Sequence, residues 1–440
     1  MDAETAQDAA FIPGTSPFRV SGADGAYLVT PEGRRILDAG GGALVTNIGH
    51  GRAEVAEVAA RAIRKVTYIV PTFMSEERVQ LVERLRSSWL PRGLTQCLFV
   101  SGGSESVDVA LRLARLHHFY SGRPERWKVI GTDLSYHGTT LAGLSVSGHP
   151  ARRRGLEPLL VSMPKTPAPY SLKGALGHGS VDPRDSALES LERVIAEAGP
   201  ESVAAFICEP VAGSAGGANV PPPGWWPGVV EICRRHGILV IADEVMAGFG
   251  RTGKRFAVEH WDVVPDILVG GKGLAGGYAA MGGVFTSEAI VEPLARAGED
   301  LMFYTYDAQP AACAVADKVL EIMERESLVD RVARMGDLLK ARLEEEFGDH
   351  PNVAQVRGLG LLLGLELVHD RDSLEKFPAQ ERVGAAVTAA GLERGIWVYP
   401  GGTAPAHDTV LLGPPFIIEG ADIDLLVGAL HESIDVAVGR

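Results

Sequence analysis

The sequence has few cysteines and lacks the short signatures of several enzyme classes. Its 440 residues include four cysteines, at positions 97, 208, 233 and 313. They are scattered, without CxxC pairs or metal-ligand spacing, so we interpret them as buried free thiols of a cytoplasmic protein and expect no metal site. No HExxH, P-loop or GxSxG element occurs. Zinc-protease, P-loop nucleotide-hydrolysing and α/β-hydrolase functions are therefore not predicted.

Basic tracts and long apolar runs are also missing. Lys and Arg number 42 against 56 Asp and Glu, for a formal charge of −14, so neither nucleic acid nor an anionic membrane is an expected partner. The first ten residues, MDAETAQDAA, have no basic start and no apolar core, and we expect no secretory signal there. With 46% hydrophobic and 22% charged residues, the composition is that of a soluble globular protein long enough for two domains.

The most informative stretch runs from residue 238 to Lys272. Residues 238–242 form a continuous apolar run, which predicts a strand buried on both faces of a parallel sheet. Asp243 follows at the end of that strand. A second run, 266–269, leads through two glycines into Lys272. Two strand ends could therefore present a carboxylate and an amine at the sheet edge where open α/β folds bind ligands.

A carboxylate and an amine at one edge are what a pyridoxal phosphate site requires. A lysine holds the aldehyde as a Schiff base, and an aspartate keeps the pyridine nitrogen protonated so that the ring can accept electrons. Charges about 4 Å apart attract by roughly 4 kcal/mol at an effective dielectric of 20, which shifts a pKa by several units. Taken singly, Asp243 could be a turn residue and Lys272 a solvated side chain. Their combination favours the cofactor site.

Three further segments carry candidate binding residues. Residues 98–106 read LFVSGGSES, a strand that turns through glycines into a helix, where backbone amides and the helix N-terminus could hold a phosphate. Tyr136 opens a loop rich in Gly, Ser and Thr, and its ring could stack on a flat cofactor. The aromatic segment 68–73 either packs against the next helix or forms a wall of the substrate pocket.

The chain order predicts a large α/β domain followed by a smaller α+β domain. We expect a hairpin of 27–29 with 35–37, and an antiparallel edge strand at 281–285. The composition changes near Pro310. The predicted division is an N-terminal arm and joining segment (1–65), a cofactor-binding domain (66–310) and a C-terminal domain (311–440). The main helices are predicted at 53–66, 76–89, 186–198, 225–236, 311–325, 328–346, 382–394 and after 420, and later strands at 353–357, 360–367 and 396–399.

On these residues the chain resembles the class III (ω-type) aminotransferases of the type I pyridoxal phosphate fold. The segment ADEVMAGFGRTGK (242–254) carries the resemblance most specifically. It is supported by SGGSESVDVALRLAR (101–115), YHGTTLAGLSVSG (136–148), GGKGLAGGYAAMGG (270–283) and GPPFII (413–418). The resemblance implies an α/β fold whose large domain has a mostly parallel seven-stranded sheet, with a smaller α+β domain beside it.

The resemblance also implies a role for each matching position. Lys272 would bind the cofactor aldehyde and then move the substrate proton, and Asp243 would form a salt bridge with the pyridine nitrogen. Thr305 would reach the phosphate of a neighbouring subunit, so a homodimer with shared active sites is implied. The implied cofactor-binding residues are Gly103, Ser104, Tyr136, His137, Glu209, Asp243, Val245, Lys272 and Thr305, and the implied pocket residues are Leu44, Tyr68, Phe73 and Tyr136.

Departures from the family pattern bear on the substrate. Met246 stands where ornithine- and 4-aminobutyrate-type members carry glutamine, which favours the amine:pyruvate subgroup. Residues 399–413 contain no arginine, although that subgroup often has one there to hold a substrate carboxylate. Leu44 stands where many ω-members have tryptophan, which would widen the pocket. A substrate carboxylate must therefore find another cation, or the main substrate has none.

The function implied is transfer of an amino group from a primary amine or ω-amino compound to a keto acid, with pyruvate as a candidate acceptor, by a ping-pong mechanism. An aminomutase or a decarboxylating transaminase on the same scaffold is the alternative. A non-catalytic regulator would not need both Lys272 and Asp243. A nicotinamide dehydrogenase is disfavoured because no G-x-G-x-x-G turn followed by an acidic residue is found.

Overall fold

The computed structural model describes residues 18–170, 172, 182–298 and 302–440. Residues 1–17 of the predicted arm lie outside this part of the chain. The predicted hairpin is confirmed, since β2 (Tyr27–Val29) pairs antiparallel with β3 (Arg35–Leu37). One more strand, β1 (Gly22–Asp24), pairs with β2 and completes a small sheet.

The largest sheet has seven strands and is mostly parallel, as expected. Five neighbouring strands, β9-β8-β7-β5-β6, run parallel. Alternate residues of these strands enter two hydrophobic clusters, one on each face, so the central strands are buried on both sides. The strands in sheet order are β4 (Gln96–Val100), β10 (Gly282–Thr286), β9 (Ile267–Gly270), β8 (Leu239–Asp243), β7 (Val203–Cys208), β5 (Lys128–Thr132) and β6 (Lys165–Thr166).

The predicted antiparallel strand near residue 281 is confirmed as antiparallel, but the prediction that it lies at the edge is wrong. β10 pairs with β4 on one side and β9 on the other, and all five of its residues are buried. Its glycines allow this position, because a Cβ on Gly282 would come within 2.6 Å of the carbonyl oxygen of Gly102. The strand therefore packs directly against the turn that starts the next helix.

The helices agree with the predicted segments to within a few residues. One exception is the segment 76–89, which is α-helical only to Arg84 and continues as a π-helical turn, Leu85–Trp89. The longer helices are α1 (Ala53–Lys65), α2 (Glu76–Arg84), α3 (Gly103–Tyr120), α4 (Pro183–Ala198), α5 (Trp225–His236), α6 (Glu288–Ala297), α7 (Pro310–Arg325), α8 (Leu328–Phe347), α9 (Val383–Glu393) and α10 (Gly420–Ala437).

The C-terminal part contains a four-stranded antiparallel sheet in the order β11 (Val353–Leu359), β12 (Leu362–Leu367), β14 (Thr409–Leu412) and β13 (Tyr399–Gly401). The strand predicted at 396–399 is displaced. Ile396 instead makes an isolated parallel bridge with Leu37, which ties the N-terminal segment to the C-terminal part. The predicted joining role of 1–65 and the domain boundaries stay predictions.

Two simple expectations can be compared with the described residues. The four cysteines are free, and three of them are buried. Among the helices in the described ranges, none combines the length and apolar character needed to cross a membrane.

Candidate active site

The two predicted reactive residues meet at one sheet edge. Asp243 is the last residue of β8, and Lys272 follows β9, which ends at Gly270. β8 and β9 are adjacent and parallel, with Asp243 opposite Val269 in the register. The carboxyl ends of both strands therefore open on the same side, where open α/β sheets place their ligands.

A cavity of about 180 Å³ lies at this edge. Lys272 and Asp243 both line it, together with all but one of the predicted cofactor-binding residues. Val107 and Gly138 are not among the predicted binding residues, but they also line the cavity. They belong to segments already identified, the helix after the glycine turn and the Tyr136 loop. The full lining is Gly103, Ser104, Val107, Tyr136, His137, Gly138, Glu209, Asp243, Val245, Met246 and Lys272.

Asp243 is buried and oriented by two donors. The Nδ1 atom of His137 lies 2.7 Å from its Oδ2 atom, and the backbone N–H of Val245 donates to Oδ1 over 3.1 Å. The backbone N–H of His137 donates in turn to Ser147 Oγ over 2.8 Å, which fixes the loop that carries the imidazole. The role of His137 is thus to hold the Asp243 carboxylate in place, which its sequence position alone did not indicate.

Lys272 is partly buried at the start of a short 3-10 turn. Burial lowers the pKa of its amine to about 8, although Glu209 and Asp243 act in the opposite direction. Its φ of +31° is unusual for a residue with a side chain. Such backbone strain is found where the surroundings fix a reactive group. The amine can therefore act as a nucleophile or a base near neutral pH.

Glu209 is a second buried acid in the cavity. Its Oε2 atom accepts from the backbone N–H of Tyr136, and its Oε1 atom accepts from that of Gly213, each over 3.0 Å. Burial raises the pKa of Glu209 to about 7. Both oxygens of this buried carboxyl group are therefore held by backbone amides of the cavity loops.

The start of α3 has the groups that could hold an anion. The helix begins at Gly103, and the first amides of a helix have no acceptor within it. A Cβ on Gly103 would come 2.8 Å from Val245 Cγ1, so only glycine lets the backbone approach the cavity here. The Ser104 hydroxyl accepts from the backbone N–H of Thr139 over 3.1 Å, which joins this turn to the Tyr136 loop. These groups fit a phosphate, and the amine and carboxylate beside them fit the aldehyde and ring nitrogen of pyridoxal phosphate.

Four of the residues predicted to bind cofactor or substrate do not line this cavity. Leu44 is buried in an apolar cluster that also contains Met246, and of these two only Met246 lines the cavity. Tyr68 and Phe73 are 43% and 65% exposed, and the Tyr68 ring lies edge-on to Tyr306 with centroids 6.3 Å apart. Thr305 lies exposed in the turn before α7. Their roles in substrate or phosphate binding stay predictions.

Comparison with known proteins gives one consistent answer. The family model for class III aminotransferases matches residues 13–434. An uncharacterised aminotransferase of Schizosaccharomyces pombe is 37% identical over 97% of this chain and 94% of its own length. A putrescine–pyruvate aminotransferase of Pseudomonas aeruginosa is 35% identical over 94% of this chain and 90% of its own length.

Solved structures agree with the sequence relatives. A thermostable (S)-enantioselective ω-transaminase from Thermomicrobium roseum superposes with a TM-score of 0.92 at 35% identity, covering 99% of this chain and 98% of that one. A transaminase from the marine bacterium Virgibacillus gives the same TM-score at 34% identity, covering 99% of each chain. The α/β fold predicted from the sequence is confirmed. The chain belongs to the class III aminotransferases.

Proposed function

We propose that this enzyme moves an amino group from a primary amine or ω-amino compound to a keto acid by a ping-pong mechanism, with pyridoxal 5'-phosphate as its cofactor. The observation that carries the proposal is the cavity shared by the Lys272 amine and the Asp243 carboxylate, beside the free amides at the start of α3. When bound, the cofactor supplies an aldehyde that takes up the amino group and a protonated ring that accepts electrons.

Lys272 has two tasks in this proposal. In the resting enzyme its Nζ atom tethers the cofactor. Once an amine substrate has displaced it, Nζ would take the proton from the carbon that carries the amino group and release it on the far side of the nitrogen, a 1,3-shift. A base with a pKa of about 8 suits both steps, because it exchanges protons readily near neutral pH.

Asp243 would keep the ring nitrogen protonated by placing a negative charge beside it. His137 and the Val245 amide hold both carboxylate oxygens, so the charge is oriented before the substrate arrives. Tyr136 and Val245 both line the cavity, and in this proposal they would contact the two faces of the ring. The free amides at the start of α3, with Ser104, would hold the phosphate.

Pyruvate is the proposed acceptor. An apolar residue, Met246, lines the cavity where a polar glutamine would mark other subgroups, and one relative is a putrescine–pyruvate aminotransferase. Pyruvate is small, so it needs little space and few specific contacts in the pocket. The proposed donor is larger and would be selected by the apolar side of the pocket at Met246, which belongs to the same buried cluster as Leu44.

A homodimer with shared sites is part of the proposal. Tyr68, Phe73 and Tyr306 are 43%, 65% and 63% exposed in the single chain; Tyr306 follows the exposed Thr305 in sequence, and its ring contacts that of Tyr68. The exposed Tyr68–Tyr306 ring pair beside Thr305 is where we propose that the second subunit packs. We expect a solution mass of two chains, with these side chains covered by the second subunit.

A donor panel tests the function. The purified holoenzyme is mixed with single amines in the absence of acceptor, and the visible absorbance of the bound cofactor is followed. A productive donor should bleach it once, and pyruvate added after removal of the donor should restore it. Release of CO₂ in proportion to turnover, or isomerisation without any keto acid, would instead identify the decarboxylating or aminomutase alternative. A holoenzyme that no amine bleaches would overturn the proposal.

A further inference from the structure

Two exposed segments of the proposed shared site lack regular secondary structure. One is the aromatic segment 68–73, and the other is the Thr305 turn, which comprises residues 304–307. The backbone N–H of Asp307 donates to the Tyr304 carbonyl over 3.0 Å and closes this turn around Thr305. Because neither segment belongs to a helix or a strand, the conformation of each depends on bonds from neighbouring elements.

A single arginine bonds to both segments. Arg78 lies in α2, and its Nη1 atom donates to the Pro71 carbonyl over 2.9 Å. Its Nη2 atom lies 3.5 Å from Asp307 Oδ2, and these two side chains are only 15% and 10% exposed. Arginine suits this position because its planar group presents donors on separate nitrogens, whereas lysine has one. The guanidinium thus holds the backbone of the aromatic segment and the carboxylate of the Thr305 turn together.

Asp307 extends this connection towards the cofactor cavity. Its Oδ1 atom accepts from the backbone N–H of Phe99 over 3.0 Å. Phe99 lies in β4, and the chain that leaves β4 passes through the glycine turn to Gly103, which lines the cavity. The two oxygens of one largely buried carboxylate therefore join Arg78 to the strand that leads to the proposed phosphate site.

We propose that Arg78 and Asp307 are positioning residues of the shared active site, which together set the orientation of the Thr305 turn and the aromatic segment 68–73. This inference rests on the proposed function, in which a homodimer brings both segments to the neighbouring site. Asp307 bonds to the turn and to β4, so its loss should affect binding of the cofactor phosphate. Arg78 bonds to the aromatic segment, so its loss should affect donor binding. A displacement of about 1 Å in groups that position a substrate is enough for a measurable effect.

Cofactor titrations test the role of Asp307. Apoenzyme is titrated with pyridoxal 5'-phosphate and, separately, with pyridoxal, which lacks the phosphate, and visible absorbance reports binding. Asp307→Ala should lower the affinity for pyridoxal 5'-phosphate about 10-fold and that for pyridoxal less than about twofold. Asp307→Asn keeps an oxygen for the Phe99 amide but loses the charge that pairs with Arg78. It should lower the affinity for the phosphorylated form about threefold, and it provides the test if Asp307→Ala does not fold.

Donor kinetics test the role of Arg78. In half-reactions of the holoenzyme with benzylamine, Arg78→Gln should raise KM about 10-fold and change kcat by less than about threefold, because the pocket wall moves while the reacting groups stay in place. Arg84→Gln is the matched control. Arg84 lies in the same helix, and its ion-pair partners Asp317 and Glu324 both lie in α7, outside the two segments. The control should leave KM and both cofactor affinities unaltered.

The possible outcomes separate this inference from the proposed function. Equal losses of affinity for pyridoxal 5'-phosphate and pyridoxal in the Asp307 variants would show a general loss of structure and overturn the positioning role. The same pattern in Arg84→Gln as in Arg78→Gln, or no change in any variant, would overturn it as well. A wild-type solution mass of one chain would instead refute the homodimer of the proposed function.

Discussion

Two polar clusters in this molecule differ in whether burial or charge pairing determines the pKa of the central residue. In the C-terminal part, Glu366 is fully buried and accepts from Arg357, Lys376 and Tyr170. Burial opposes its ionisation, but the charges of Arg357 and Lys376 outweigh this and hold the pKa of Glu366 below its usual range. In the cavity, burial outweighs the nearby carboxylates and lowers the pKa of Lys272 to about 8.

The difference lies in how completely the charges are paired. Arg357 also donates to the backbone carbonyls of Gly216 and Gly217, so its cluster ties β11 to the loop after β7. Within the described structure, Lys272 has no carboxylate at ion-pair distance and faces open space. A buried charge alone therefore does not mark an active site. An incompletely paired charge beside a cavity does.

Among substitutions in the two clusters, we expect the largest loss of activity at Lys272. Lys272→Ala should remove the visible absorbance of the bound cofactor and lower turnover by more than about 10³-fold, because both the tether and the base are lost. Lys165→Met is the control. Burial lowers the pKa of Lys165 to about 8 as well, but its amine donates to the Ser145 carbonyl over 2.7 Å and does not line the cavity. Comparable activity in Lys272→Ala and wild type would end the assignment.

Asp243 should give the next largest effect. Asp243→Asn should still bind the cofactor but lose about 10²- to 10³-fold in rate, as for other losses of oriented charge. The adjacent Glu244→Gln serves as a control. Burial raises the pKa of Glu244 to about 8, so it is mostly protonated at pH 7, and its Oε1 accepts from the Val258 amide outside the cavity. Its rate should change by less than about threefold. Equal losses in both variants would contradict the role of Asp243.

The paired cluster should respond in stability instead of rate. Glu366→Gln leaves Arg357 and Lys376 without their carboxylate, and we expect the free energy of unfolding to fall by about 3 kcal/mol. Turnover per folded molecule should stay near that of the wild type. The partly exposed Glu192, paired with Arg235 and His236, provides the comparison, and Glu192→Gln should cost less than about 1 kcal/mol. Denaturant unfolding and active-site titration measure the two quantities separately.

The same contrast explains what the sequence could predict. The cavity residues follow buried strands and glycine turns, so their positions at one sheet edge follow from local pattern and sheet topology. Asp243 and Lys272 are predictable in this way. The Glu366 cluster joins residues from β11, β12 and two loops, and no local pattern relates Tyr170 to Lys376. Its pairing exists only in the folded chain.

Errors in the predicted fold have similar causes. An edge position is predicted for β10 because antiparallel strands commonly lie there, but β4, from a distant part of the chain, takes that place. The orienting bond from His137 to Asp243 joins residues 106 positions apart. Tyr68, Phe73 and Thr305 are exposed in the single chain. The sequence pattern of one chain does not predict which groups contact an exposed residue.

The smallest predicted effect concerns the balance of charges around Lys272. Cofactor uptake by apoenzyme needs the neutral amine, so its rate should rise with pH and level off above about 8, since the pKa of Lys272 is about 8 and not its ordinary 10.5. The negative charge of Glu209 raises that pKa, so Glu209→Gln should move the midpoint to lower pH. Burial raises the pKa of Glu209 itself to about 7, so the shift requires Glu209 to be ionised at the midpoint. Stopped-flow absorbance from pH 6 to 10 measures it. A midpoint near the ordinary lysine pKa, or one that Glu209→Gln does not move, would contradict this prediction. It would show that the Lys272 amine is solvated and does not sense the charge of Glu209.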